Sequence, residues 1–166
     1  IAQKLPWFGK LDWRTQRAVV AVERQKALID ARQVELIEDL TTVFYNLGFL
    51  SESLRVNAEL IQMAQSMLQV AEAGYASGQN LQQDVFQAQV ELGKLIDDRI
   101  DLEKRQRTQT ARINELLNRA TFITVQGPAE FVLPEGELNP QTVRQRVLDY
   151  NPMLRVRQAD IDRAAI

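Results

Sequence analysis

The residues able to do chemistry in this chain of 166 residues are carboxylates, amines, guanidinium groups and phenols, because histidine and cysteine are both absent. That absence removes thiol nucleophiles, disulfides, Ser-His pairs and the usual zinc or copper sites. An enzyme would have to work with carboxylates, lysine or tyrosine alone, so no catalytic residue, cofactor or metal site is expected. The densest charged stretch is Asp97, Asp98 and Asp101 followed by Lys104, Arg105 and Arg107. It admits a binding site, or a solvated helix face with opposite charges three or four residues apart; the second is the simpler reading. Asp84, Glu91, Asp98 and Asp101 can alternatively line a water-filled passage. A net charge of −2 with both signs interspersed carries no electrostatic footprint for nucleic acid.

Positioning these groups falls to two long periodic runs joined at Gly74-Tyr75-Ala76-Ser77-Gly78-Gln79-Asn80. The two glycines can adopt backbone angles closed to other residues, ending one helix and reversing the chain. Asn80 then reads as the cap of the next helix, with Asp84 in its first turn, where a negative charge suits the helix dipole. Before the turn, Leu36, Leu40, Val43, Leu47, Leu50, Leu54, Asn57, Ile61, Ala64, Leu68, Ala71 and Tyr75 alternate steps of four and three. After it, Leu81, Val85, Ala88, Leu92, Leu95, Arg99, Leu102, Gln106, Gln109, Ile113, Leu116 and Ala120 do the same. This is a heptad seam, with polar members that can fix register. A continuous first helix of about 65 residues, rising roughly 1.5 Å per residue, would be about 100 Å long.

Each run also carries a second apolar row: Ile37, Phe44, Leu60, Met63, Met67 and Val70 on the first, and Phe86, Val90, Gly93 and Ile100 on the second. A two-helix hairpin would leave one row in water, so the pattern asks for partner chains or further segments. The fold class expected is all-α: a long, coiled-coil-like antiparallel hairpin with a short irregular or β connector and short terminal helices. Residues 1–12 form an extended lead-in, with Asp12 as helix cap, and 13–120 the hairpin with its tip at 74–80. Residues 121–138 form the connector, where Thr121-Phe122-Ile123-Thr124-Val125 is the one β-branched run. Residues 139–166 are helical, started by Asn139-Pro140 and again by Asn151-Pro152. Trp7 and Phe8 can anchor at a membrane interface or simply pack. No apolar run reaches the roughly 18 to 20 residues of a membrane-spanning helix. With Ile at position 1 and a helical pattern up to Ile166, the chain is expected to be a piece of a longer protein.

Gly78 followed by Asp84-Val85 and Gln87-Ala88-Gln89, with Tyr75 three residues before the glycine, resembles the hairpin tip of the TolC family of outer-membrane efflux proteins. Gln3-Lys4-Leu5-Pro6-Trp7-Phe8-Gly9-Lys10-Leu11 is similar to the passage by which such chains leave their membrane strands. Asn151-Pro152-Met153-Leu154, with Ala159 and Ala164 beyond, resembles the opening of the family's second repeat. The three matches occur in the family's order and span nearly the whole chain.

The resemblance implies a homotrimer in which six hairpins build a closed α-helical barrel in the periplasm, continuous with a β-barrel in the outer membrane. It also implies partners: a periplasmic adaptor (membrane fusion) protein and an inner-membrane pump. Carried over residue by residue, Asp84 matches an acidic tip position used in gating contacts, with Gln83 beside it. Tyr75, Gly78 and Gln79 fall in the adaptor-facing turn. Many relatives have arginine at the position of Gly74 and leucine at that of Gln79, so the adaptor contact is expected to differ in detail. The lead-in is similar to members associated with heavy-metal efflux. The function implied is a passive duct of a tripartite efflux or type I secretion system. Two other classes compete. A periplasmic adaptor also contains a helical hairpin, but its Gly- and Val-rich β flanks are missing. The other is a generic coiled-coil scaffold or a helical-bundle enzyme, of which the di-metal bundle enzymes are disfavoured by the absence of His, Cys and a paired Glu-x-x-His motif.

Overall fold

The computed structural model describes residues 8–128 and 139–166. The lead-in before Phe8 and the connector residues 129–138, with Pro134-Glu135-Gly136, lie outside the described residues. Four helices follow in order: α1 (Lys10–Ala76), α2 (Gln82–Leu116), α3 (Pro140–Tyr150) and α4 (Pro152–Ala165). No strand occurs among the described residues. The β-branched run at 121–125 is irregular, so of the two connector forms expected, irregular or β, its described part takes the first.

The chain divides into two compact units, one comprising Ile1–Glu38 with Leu133–Ile166, the other Asp39–Val132. In the second unit α1 and α2 form the antiparallel hairpin. Its core is the heptad seam: Leu47, Leu50, Asn57, Ile61 and Ala71 of α1 are buried, as are Val85 and Ile113 of α2. The seam's ends, Leu36 and Tyr75, are exposed, because the antiparallel partner covers only the stretch it lies beside. The second rows are mostly in water, with Phe44 and Gly93 half-buried. Met63, Met67 and Val70 are each more than 60% exposed, and Phe86, Val90 and Ile100 each 56%. That is the outcome physical chemistry requires of two helices alone.

Asn57 sits inside the seam, 6% exposed. Its Nδ2 donates to the Leu95 carbonyl across the hairpin at 3.1 Å, while its Oδ1 has no partner. Further from the tip, at the exposed edge of the seam, Gln106 Nε2 donates to Ser51 Oγ at 3.1 Å. Polar contacts inside an apolar seam add little net stability but penalise sliding, because a slipped amide is left buried and unbonded.

In the first unit, α4 lies on the early turns of α1, burying Ala27 against a face that includes Val156 and Ala159. Arg24 pairs with Asp160, and Arg155 with Asp30. The Asn-Pro devices work as the spacing predicts. Asn139 Oδ1 accepts from Gln141 N and Asn151 Oδ1 from Met153 N, each at 2.9 Å, with proline in the first turn. Proline needs no hydrogen-bond acceptor there and its φ is already helical.

At the start of α1 the expectation fails. The helix begins at Lys10, and Asp12 lies in its first turn instead of capping it. Gly9 takes φ +82°, and its carbonyl accepts from Trp13 N at 3.1 Å. The glycine makes the reversal into the helix, so Lys10 to Asp12 are helical and not part of an extended lead-in.

Candidate functional site

The tip is built by backbone. α1 ends at Ala76 with Gly78 in the left-handed region, φ +73°. Gly78 N donates to the Tyr75 carbonyl at 3.0 Å and Gln79 N to the Gly74 carbonyl at 2.8 Å. These two bonds make a Schellman motif, which satisfies carbonyls that a helix end otherwise leaves open. The Gly74 carbonyl also accepts from Asn80 N at 3.1 Å and Ser77 Oγ at 3.0 Å. One oxygen thus gathers the whole turn.

The two glycines have different jobs. Gly78 alone supplies the positive φ. Gly74 lies within α1, and a Cβ there would fall 2.4 Å from Asn80 Nδ2. Its missing side chain leaves room for the Asn80 carboxamide. Asn80 therefore does not cap α2, contrary to the expectation. The N-cap is Leu81, in an extended conformation, and its N–H donates to Asp84 Oδ2 at 3.0 Å. This is the carboxylate half of a capping box. Leucine has no side-chain acceptor to return the bond, and Asp84 N donates instead to the Leu81 carbonyl at 3.0 Å.

The five tip residues singled out by sequence come together in this turn and the first turn of α2. Tyr75, Gly78, Gln79, Gln83 and Asp84 are all exposed. Asp84 has a second neighbourhood. With Gln87, Ala88 and Glu91 of α2 and Ala64, Met67 and Ala71 of α1 it lines a depression of about 300 Å³. The floor is small and apolar, the rim acidic. Gln83 is not part of that lining. Phe86, 56% exposed beside buried Val85, was visible in sequence only as a member of the second row. Its exposure is what a second row without a further neighbour gives.

The charged stretch on α2 is a solvated face. Asp97, Asp98, Asp101, Lys104, Arg105 and Arg107 are exposed. The ion pairs nearby are helix-surface pairs, Lys94 with Glu91 and Arg99 with Glu103, of the weak, screened kind. Asp101, Lys104 and Arg105 flank a depression of mixed sign. Among the described residues no group of acidic side chains is placed to hold a metal ion, and no helix is long and apolar enough to cross a membrane.

A long antiparallel hairpin with an exposed polar tip and a largely uncovered second apolar row defines an all-α helical-hairpin protein. Residues 1–119 match the family model for "Outer membrane efflux protein". The match covers well over half of the chain, which belongs to that family. The family is one of efflux proteins of the outer membrane. No curated protein and no solved structure matches the chain.

Proposed function

We propose that this chain is the periplasmic part of a subunit of an outer-membrane export duct. The duct serves a tripartite efflux or type I secretion system and passively conducts cargo delivered by an inner-membrane pump. On this reading 13–120 is the periplasmic hairpin and 139–166 opens a second repeat. Three subunits close their hairpins into an α-helical barrel, and the work of transport is done by the pump.

The observation that carries the reading is the pair of uncovered rows. Met63, Met67 and Val70 on α1 and Phe86, Val90 and Ile100 on α2 are what neighbouring hairpins in a barrel would cover. Each buried side chain of that size is worth about 1.5–3 kcal/mol, enough to hold a ring of hairpins together. At the tip, Tyr75, Gly78 and Gln79 face a periplasmic adaptor, while Asp84, with Gln83 beside it, takes part in closing the duct. Opening replaces tip contacts between subunits with contacts to the adaptor.

The test is the conductance of the full-length channel in planar bilayers. Asp84→Ala should loosen the closed state and raise resting conductance. Unchanged conductance would remove Asp84 from the gate. A full-length protein that stays monomeric in detergent would refute the barrel.

A further inference from the structure

The most completely buried place in the hairpin unit is at its root, far from the tip. The large side chains most completely buried among the described residues are Leu47, Ile113 and Asn114, at 1%, 2% and 0% exposure. They mark the level at which the chain, having left α2, passes back over α1. Elsewhere along the unit two helices meet at one seam. Here a third segment joins them.

Three features hold that segment. α2 ends in its own Schellman motif, with Arg119 N donating to the Asn114 carbonyl at 2.8 Å and Asn118 N to Glu115 at 2.9 Å. Asn118 takes the left-handed conformation, φ 51°, and turns the chain back. The Asn114 side chain then donates to two carbonyls of the returning segment, Thr121 at 3.1 Å and Ile123 at 2.7 Å. Finally Gly127 presses onto the backbone of α1. A Cβ on it would lie 2.6 Å from Gly48 N, 2.7 Å from Gly48 Cα and 3.1 Å from the Leu47 carbonyl carbon. These obstacles are main-chain atoms of a helix and cannot swing aside. Gly48 is the one interior glycine of α1 before the tip, and it stands where the other backbone arrives.

We propose that this crossing is a clamp that fixes the root of the hairpin, so that local opening of α1 and α2 from the tip stops at residues 47–51 and 110–114. Resistance to local opening follows the density of buried, bonded contacts. From the tip to Asn57 the helices share a single seam with an exposed flank, whereas the crossing has three layers, two carboxamide bonds and a backbone-to-backbone seat. Asn114 is here a positioning residue, acting on the hairpin through the segment it holds. The inference concerns the mechanics of the unit and does not depend on the duct reading.

Hydrogen–deuterium exchange of the whole chain, resolved along the sequence, tests it. Protection should rise from the tip and peak at 47–51 and 110–114. Gly127→Ala should lower protection at those two stretches by about tenfold or more, leaving the tip half of the seam nearly unchanged. Gly93→Ala, where a Cβ meets nothing within 4 Å, should not lower it. If Gly127→Ala does not fold, Asn114→Ala removes both carboxamide bonds without a clash and should show the same localised loss. A protection peak elsewhere, or a uniform loss over the whole hairpin in both variants, overturns the clamp.

Discussion

Arg24 and Asp160 meet at 2.6 Å, Nε to Oδ1, and six residues along α1 the charges are reversed, with Asp30 accepting from Arg155 at 2.9 Å. Passing up α1 from 24 to 30 passes down α4 from 160 to 155, so the pairs match only if the helices are antiparallel. A parallel docking would set Arg24 against Arg155 and Asp30 against Asp160. Each pair is partly exposed and worth about 0.2–1 kcal/mol, so the larger effect is the penalty against the wrong polarity.

This gives a charge-swap test. Arg24→Asp alone should loosen α4 and speed its cleavage by a protease. Arg24→Asp with Asp160→Arg should restore resistance. A double variant as labile as the single one would show that the pair does not hold α4.

The two helix ends of the hairpin offer a matched comparison. Gly78 and Asn118 occupy the same left-handed position of two Schellman motifs, at φ 73° and 51°. Gly78→Ala should cost about 1–2 kcal/mol, and Gly78→Asn less. Asn118→Gly should be neutral or stabilising. Denaturant midpoints at constant m-value would report all three.

Asn57 is placed to trade stability for register. Asn57→Leu removes a buried Oδ1 that lacks a partner and should leave stability unchanged or raise it. Asn57→Asp would set a carboxylate against the Leu95 carbonyl and should cost about 1–3 kcal/mol. An Asp variant as stable as the parent at neutral pH would mean that the Nδ2–Leu95 bond adds nothing.

One carboxylate on α1 has a defined acid response. Hydrogen bonds from the Arg55 guanidinium hold the Glu52 carboxyl below its usual range, and the same guanidinium reaches Glu59 at 2.6 Å. Arg55 is itself raised and stays charged throughout. A carboxyl with a lower pKa folded than unfolded binds fewer protons in the fold. Its stabilisation is therefore full above the unfolded value, about 4.3, and fades as pH falls through the folded one. An NMR titration should place the Glu52 midpoint below that of an ordinary glutamate, and Arg55→Gln should return it.

Local signals were legible in the sequence and distant ones were not. Apart from Gly48, the four-three spacing named the residues that are buried between Leu40 and Ala71, because a seam depends only on helical geometry. Asn139 and Asn151 were legible for the same reason, each bonding an amide two residues on. Asn80 looked alike, but three donors on the Gly74 carbonyl draw the chain into a turn that sets Asn80 over Gly74 and leaves capping to Asp84. Gly48 was visible as an oddity within α1. Its reason, Gly127, lies in another segment, and no periodicity connects them. The tip residues were placed by resemblance, and the fold brings them together.

Five consecutive amides at the tip, from Ser77 to Leu81, already donate within the turn. Those five N–H groups hold the bend itself. Around them the side chains of Tyr75, Gln79, Gln83 and Phe86 are exposed. The shape of the loop and the message it displays are thus written in different atoms. Substitution can change the side chains displayed there while the bend itself stays as it is.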